Sequence, residues 1–273
     1  MVIVIEKILN DTNYILLAFL ATMFTYFLTM LGALSVFFFK KVNEKIMSFM
    51  FGFGAGVMIA ASFFSLILPA LNQLELNNKS NSWIIIVGGF LSGGLFILLI
   101  DLLMPHLHIN ESKTEGLKTK FSKKILLVLA ITLHNIPEGM AIGVAFASAF
   151  LNIPGSTYIA AFMLAVGIGL QNIPEGMAIS LPLRTEGMSR RKSFFYGQAS
   201  GIVEPVSGVI GAVLVSIVSE LLPFVLCFAS GAMIYVVAEE LIPSGKTNEK
   251  NKYGTIGVII GFAIMMALDI ALS

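Results

Sequence analysis

The sequence predicts an all-α integral membrane protein with eight transmembrane helices, built around inverted repeats, with kinked central helices four and five. Three observations carry this. Of 273 residues 57% are hydrophobic and 12% charged, against roughly 25% charged in an ordinary soluble domain, and the mean hydropathy is +0.91. Apolar runs of about 20 residues recur between polar breaks. The octapeptide Asn-Ile-Pro-Glu-Gly-Met-Ala-Ile occurs twice, at 135–142 and 172–179.

The runs fall near 13–38, 46–70, 83–107, 124–150, 156–182, 193–218, 221–243 and 254–272. They use nearly the whole chain as one transmembrane domain, 1–273, and leave no room for a soluble catalytic domain of the usual size. Met1 to Asn13 lack the basic-then-apolar order of a cleavable signal, because Glu6, Lys7 and Asp11 interrupt them. The chain is therefore read as mature from Met1. Cys227 stands alone in an apolar run and is read as packing. Glycine clusters such as Gly52-Phe-Gly54-Ala-Gly56 are read as close helix packing.

The 17 basic and 16 acidic residues cancel to a formal charge of +1, which gives no field to attract nucleic acid. Sorted by position they are informative. Lys40, Lys41 and Lys45 precede span two; Lys113, Lys118, Lys120, Lys123 and Lys124 precede span four; Arg184, Arg190, Arg191 and Lys192 precede span six; Lys246, Lys250 and Lys252 precede span eight. Basic loops mark the cytoplasmic side, so both termini are expected to be extracytoplasmic, in a multi-pass protein of the cell (inner) membrane.

The repeats lie in consecutive spans, which must run antiparallel, so an approximate two-fold axis in the membrane plane relates them. Inverted repeats meeting at the midplane are a transporter arrangement. Pro137 and Pro174 cannot donate to the carbonyls of Leu133 and Leu170, and a kink is expected at that depth. His134 and Glu138 share one helical face with Asn135 beside them, and Gln171, Asn172 and Glu175 repeat the geometry. Glu204, followed by Pro205, adds a third carboxylate in span six. Buried ionisable groups line pathways or pair with countercharges, and no Lys or Arg falls mid-span. The carboxylates must either hold protons or receive a cation.

One imidazole with carboxylate and amide oxygens and no thiolate suits zinc or another divalent first-row metal, whereas calcium and magnesium prefer all-oxygen shells. One ion or two fits the donor set. Weaker signals follow along the chain. Asp101, His106 and His108 close span three and Glu239-Glu240 end span seven, read either as solvated helix ends or as exit stations. Met58 and Ser65, seven apart on span two, either face the path or pack. Glu75, Glu220 and Asp269, near outer span ends, are read as solvated.

An intramembrane metalloprotease would need His-Glu-x-x-His, which is absent. An ATP-driven pump would need a phosphate loop, but Gly245-Lys-Thr247 has Glu240 where the upstream glycine belongs. A proton-coupled permease for a non-metal solute remains the alternative, since unpaired carboxylates also relay protons.

His134-Asn-Ile-Pro-Glu138-Gly, Gln171-Asn-Ile-Pro-Glu175-Gly, Gly201-Ile-Val-Glu204-Pro and Glu239-Glu-Leu-Ile-Pro243 together resemble the ZIP (Zrt/Irt-like protein) divalent metal transporters, in particular their bacterial GufA-like branch. The resemblance covers the whole chain and implies import of Zn2+, with Cd2+, Fe2+ or Mn2+ as further substrates, through two adjacent metal positions. The first would use His134, Glu138, Gln171 and Glu175, with Met58 alongside. The second would use Asn135, Glu138, Asn172, Glu175 and Glu204, the glutamates Glu138 and Glu175 bridging. Asp101, His106, His108, Glu239 and Glu240 would serve cytoplasmic release. Gln171 stands where many eukaryotic relatives have histidine, and Asn172 where some have aspartate. The resemblance also implies a homodimer, and an elevator-like movement of spans one, four, five and six against the others.

Overall fold

The computed structural model describes residues 13–39, 43–76, 82–103, 123–153, 156–185, 187–217, 221–246 and 252–272. Among the described residues eight long helices follow one another. Helix α1 is Tyr14–Leu34, capped by the Asn13 side chain on the Ile15 amide and closed by a tightened turn, Ser35–Phe37. Helix α2 runs Glu44–Ala61, widens into a π-helical segment Ser62–Ile67, and resumes as Leu68–Leu76. Helices α3 (Ser82–Leu103), α4 (Lys123–Phe150) and α5 (Tyr158–Thr185) are uninterrupted, the last two running through Pro137 and through Pro174 and Pro182. Helix α6 is Arg190–Ala199, a 3-10 turn Ser200–Ile202, and Val203–Ile217. Helix α7 is Leu222–Val236, a π-helical segment Val237–Leu241, and Ile242–Gly245. Helix α8 is Tyr253–Leu272.

Among the described residues seven helices are long and apolar enough to cross a membrane. The remaining one, α4, has 28 residues, about 42 Å at 1.5 Å per residue, against a hydrocarbon core of about 30 Å. The chain is a multi-pass membrane protein. His106 and His108, Glu220, and the loop lysines Lys40, Lys41, Lys113, Lys118, Lys120 and Lys250 lie outside the described residues.

Packing sorts the helices into two groups. Helix α1 lies along α5 and α4 along α6, while α2 lies along α8 and α3 along α7. This pattern is unchanged when α1 is exchanged with α6, α2 with α7, α3 with α8 and α4 with α5. The two π-helical segments, in α2 and α7, exchange as well. The inverted relation between the octapeptides therefore extends to the whole bundle.

The glycine of each repeat shows why the pairs pack so closely. A Cβ at Gly139 of α4 would strike the backbone carbonyl of Glu204 on α6, and one at Gly176 of α5 would strike that of Thr29 on α1. Helix backbones approach this far only where a side chain is missing. Across the two-fold relation Glu204 thus occupies the place that Thr29 occupies on the other side.

The core between the groups is apolar. Met58, Ile142, Leu164 and Ile168 are wholly buried in it, and Cys227 packs there too. The outward flanks are equally apolar, as Trp83, Leu91, Leu102 and Leu103 on α3 are each more than half exposed, which suits a face bathed in lipid.

Candidate metal centre

The repeated motif brings its polar residues into one buried cluster between α4, α5, α6 and α1. His134, Asn135, Glu138, Gln171, Asn172, Glu175 and Glu204 are all between 0 and 6% exposed. Both motif asparagines tie their helix to its neighbour in the same way. Nδ2 of Asn135 donates to the Ser200 carbonyl of α6 across 3.1 Å, and Nδ2 of Asn172 donates to the Thr25 carbonyl of α1 across 3.3 Å. Ser200 lies in the 3-10 turn of α6.

The carboxylates differ in how they are satisfied. Nε2 of Gln171 donates to Oε1 of Glu138 across 2.7 Å. Nδ2 of Asn172 reaches both oxygens of Glu204, at 2.8 and 2.9 Å, and the Thr25 and Thr29 hydroxyls lie within hydrogen-bond reach of Oε2 and Oε1 of the same carboxylate, each sharing its one proton with a backbone carbonyl of α1, that of Thr22 and of Thr25. By contrast Oδ1 of Asn135, Oε2 of Glu138, Oε1 of Gln171, Oδ1 of Asn172 and Oε2 of Glu175 find no hydrogen-bond donor. Buried oxygens are rarely left so. Five of them line consecutive turns of two facing helices, and the three amide oxygens among them can only accept, which complements a cation. Glu175 and Glu204 both lie near enough to Glu138 for their charges to interact.

Among the described residues no three His, Cys, Asp or Glu side chains gather closely enough to hold an ion by themselves. The lining reaches a useful donor number only by counting its amides. Carboxylate and amide oxygens with one imidazole form a borderline-to-hard set, compatible with zinc and with other first-row divalent ions.

Two cavities flank the cluster. On the face where α2, α4, α6 and α8 begin, a cavity of about 20 Å3 is lined by His134, Glu175 and Glu240 together with Phe51, Leu241 and Ser244. Its volume suits about one water-sized particle. The π-helical segment of α7 turns Glu240 inward, 3% exposed, and leaves Glu239 outside. The charges of Glu240 and Glu175 interact. Asp101, on the last turn of α3, is also buried.

At the opposite face a larger cavity, about 440 Å3, is lined by Ser65, Pro69, Asn72, Ala145, Thr157 and Asp269. Asp269 is not solvated as its position near a span end suggests. It is 5% exposed, because α8 lies along α2 and Ser65 donates to its carboxylate at 2.9 and 3.1 Å. Glu75, by contrast, is exposed. Met58 belongs to the apolar layer between this cavity and the cluster. Sequence reading places Asp269 in solvent and passes over Thr25 and Thr29; for the threonines the available signal is a pair of hydroxyls four residues apart on one face of α1.

Comparison with known proteins points the same way. The family described as ZIP Zinc transporter matches residues 106–269. The chain is 37% identical to zinc transporter ZIP11 of Xenopus tropicalis, over 94% of this chain and 98% of that protein. It is 35% identical to zinc transporter GufA of Myxococcus xanthus, over 89% of this chain and 94% of that protein. With zinc transporter ZupT of Campylobacter jejuni it shares 34% identity, over 92% of this chain and 94% of the relative. The likeness runs through the helices that build the cluster and beyond them along most of the sequence, and the chain belongs to the ZIP zinc transporter family.

Proposed function

We propose that the protein carries Zn2+, and less selectively Cd2+, Fe2+ or Mn2+, across the cell (inner) membrane toward the cytoplasm by alternating access through the central cluster. The observation that carries this is the set of five buried oxygens without donors on Asn135, Glu138, Gln171, Asn172 and Glu175, at a depth with no fixed positive charge. Three of the five, on Asn135, Gln171 and Asn172, are amide oxygens, which can only accept. His134 completes the set with an imidazole.

The flanking cavities supply the two ends of a route. Ser65 and Asp269 line the outer one and Glu240 the inner one, with Asp101 and, outside the described residues, His106 and His108 carrying on toward the cytoplasm. Met58, Ile142, Leu164 and Ile168 close the outer side in this conformation. The basic loops support extracytoplasmic termini. The homodimer that the family resemblance implies would have the exposed flank of α3 available to it. Transport by this route needs no catalysis. A permease passing protons through the same carboxyls finds no support in the relatives, which are named as zinc transporters.

The test is uptake of zinc into proteoliposomes loaded with a zinc-sensitive dye. Glu138→Ala and Glu175→Ala are each expected to abolish it, and unchanged uptake in both variants overturns the reading. Flux competition among zinc, cadmium, iron and manganese, with and without a proton gradient, ranks the substrates.

A further inference from the structure

The outer cavity measures about 440 Å3 and the inner one about 20 Å3. A divalent ion in water carries about six water molecules, each with a share of about 30 Å3, so the hydrated ion needs about 180 Å3. The outer cavity admits it whole and the inner one does not.

The walls agree with the volume. Among the described residues that line the outer cavity, the polar side chains are Ser65, Asn72, Ser156, Thr157 and Asp269, and the rest are apolar. Each of the five has an oxygen that accepts a hydrogen bond, and no Lys, Arg or His stands with them. Water molecules around a cation turn their hydrogens outward, so acceptors are what such a shell meets. Stripping the shell is a different task. Zinc gives up its water for three or four protein ligands, and this lining supplies one carboxylate with neutral oxygens around it. Asp269 keeps capacity for water, because Ser65 brings a single proton, 2.9 and 3.1 Å from the two carboxylate oxygens, against about four lone-pair positions. Farther in, Met58, Ile142, Leu164 and Ile168 are wholly buried and offer no oxygen in place of water.

We propose that the outer cavity receives the divalent ion with its water shell intact, held through that water by Asp269, and that the shell is given up at the cluster. This rests on the transport reading above and specifies the form in which the substrate arrives. Recognition at the entrance is then blind to the ligand preferences of the metal. Any cation with a full shell of outward hydrogens docks there, and discrimination begins where oxygens and imidazole of the cluster replace water.

Hexaamminecobalt(III) is the probe: its six ammonia ligands do not exchange, its N–H bonds point outward, and its size is close to that of a hydrated divalent ion. It is added to proteoliposomes of uncharged lipid in which the outer cavity faces the medium, at constant ionic strength. The apparent KM for zinc is expected to rise with kcat unchanged, and elemental analysis should find no cobalt in the lumen. Asp269→Asn should weaken the inhibition about 3- to 10-fold. A thiol reads the cavity directly. Cys227 is wholly buried, so Asn72→Cys supplies an accessible one. Hexaamminecobalt(III) and magnesium, neither of which binds sulfur, should slow its labelling by a membrane-impermeant maleimide, and adding Asp269→Asn should remove the protection. Zinc uptake that hexaamminecobalt(III) leaves untouched or lowers in kcat alone, or labelling that it does not slow, would overturn the inference while the transport reading stands. No zinc uptake by wild type, with Glu138→Ala indistinguishable from it, would overturn both.

Discussion

Gln171 donates its amide to Oε1 of Glu138 across 2.7 Å, so the second copy of the motif braces the first. The contact leaves Oε2 of Glu138 and Oε1 of Gln171 without donors, and both are available to a cation. A histidine at this position would keep a ring N–H for Glu138 and present its other nitrogen instead of an amide oxygen. Gln171→His is therefore expected to raise the preference for zinc over manganese by about 10-fold, because imidazole suits zinc better than a carbonyl does. Competition calorimetry measures the ratio; an unchanged ratio would mean that residue 171 does not touch the ion.

The neighbouring glutamates of α7 separate cleanly. Glu240 faces the small inner cavity beside His134 and Glu175, and Glu239 is exposed. Glu240→Gln is expected to slow zinc turnover by about 10-fold or more, while Glu239→Gln stays within about twofold of wild type. Equal effects of the two substitutions would remove Glu240 from the route.

Asp269 offers negative charge in the wall of the outer cavity, where low-dielectric surroundings focus its field. Asp269→Asn should raise the KM for zinc about 3- to 10-fold with little change in kcat, and the difference should shrink as ionic strength rises. Ser65→Ala frees the carboxylate from a hydrogen bond without removing its charge and is expected to have the smaller effect. Initial uptake rates over a range of zinc and salt concentrations distinguish the two; a pure loss of kcat in Asp269→Asn would contradict a capture role.

The motif glycines carry a stability prediction. A methyl group at Gly139 or Gly176 meets a backbone carbonyl of the adjacent helix, and overpacking of this kind costs about 1–3 kcal/mol. Gly139→Ala and Gly176→Ala should each lower the thermal midpoint in detergent by several degrees. Gly88→Ala, where the added atom meets open space, should not.

Much of the fold was legible because the signals it rests on are local. Twenty apolar residues between lysine-rich loops mark a span whatever surrounds them, and the eight helices begin and end within a few residues of the hydropathy limits, apart from α2, which runs on to Leu76. The facing of His134, Glu138, Gln171 and Glu175 followed from helical spacing alone. What escaped depends on neighbours distant in sequence. The π-helical segments of α2 and α7 are set by packing between helices, so Glu239 and Glu240 looked like one interfacial pair. Asp269 looked solvated because Ser65, which accounts for its burial, is 204 positions away. Thr25 and Thr29 looked like ordinary span residues until α6 laid a carboxylate against them.

Thr29 and Glu204 occupy matching places in the two halves of the cluster and differ in chemistry, as His134 and Gln171 also do. An inverted repeat with chemically identical halves would present the same free energy whether open to one compartment or to the other, since each state would be the mirror of its opposite. A single formal charge on α6, answered by neutral hydroxyls on α1, removes that equality. The two facing states are then not required to be equal in free energy even before any gradient is applied.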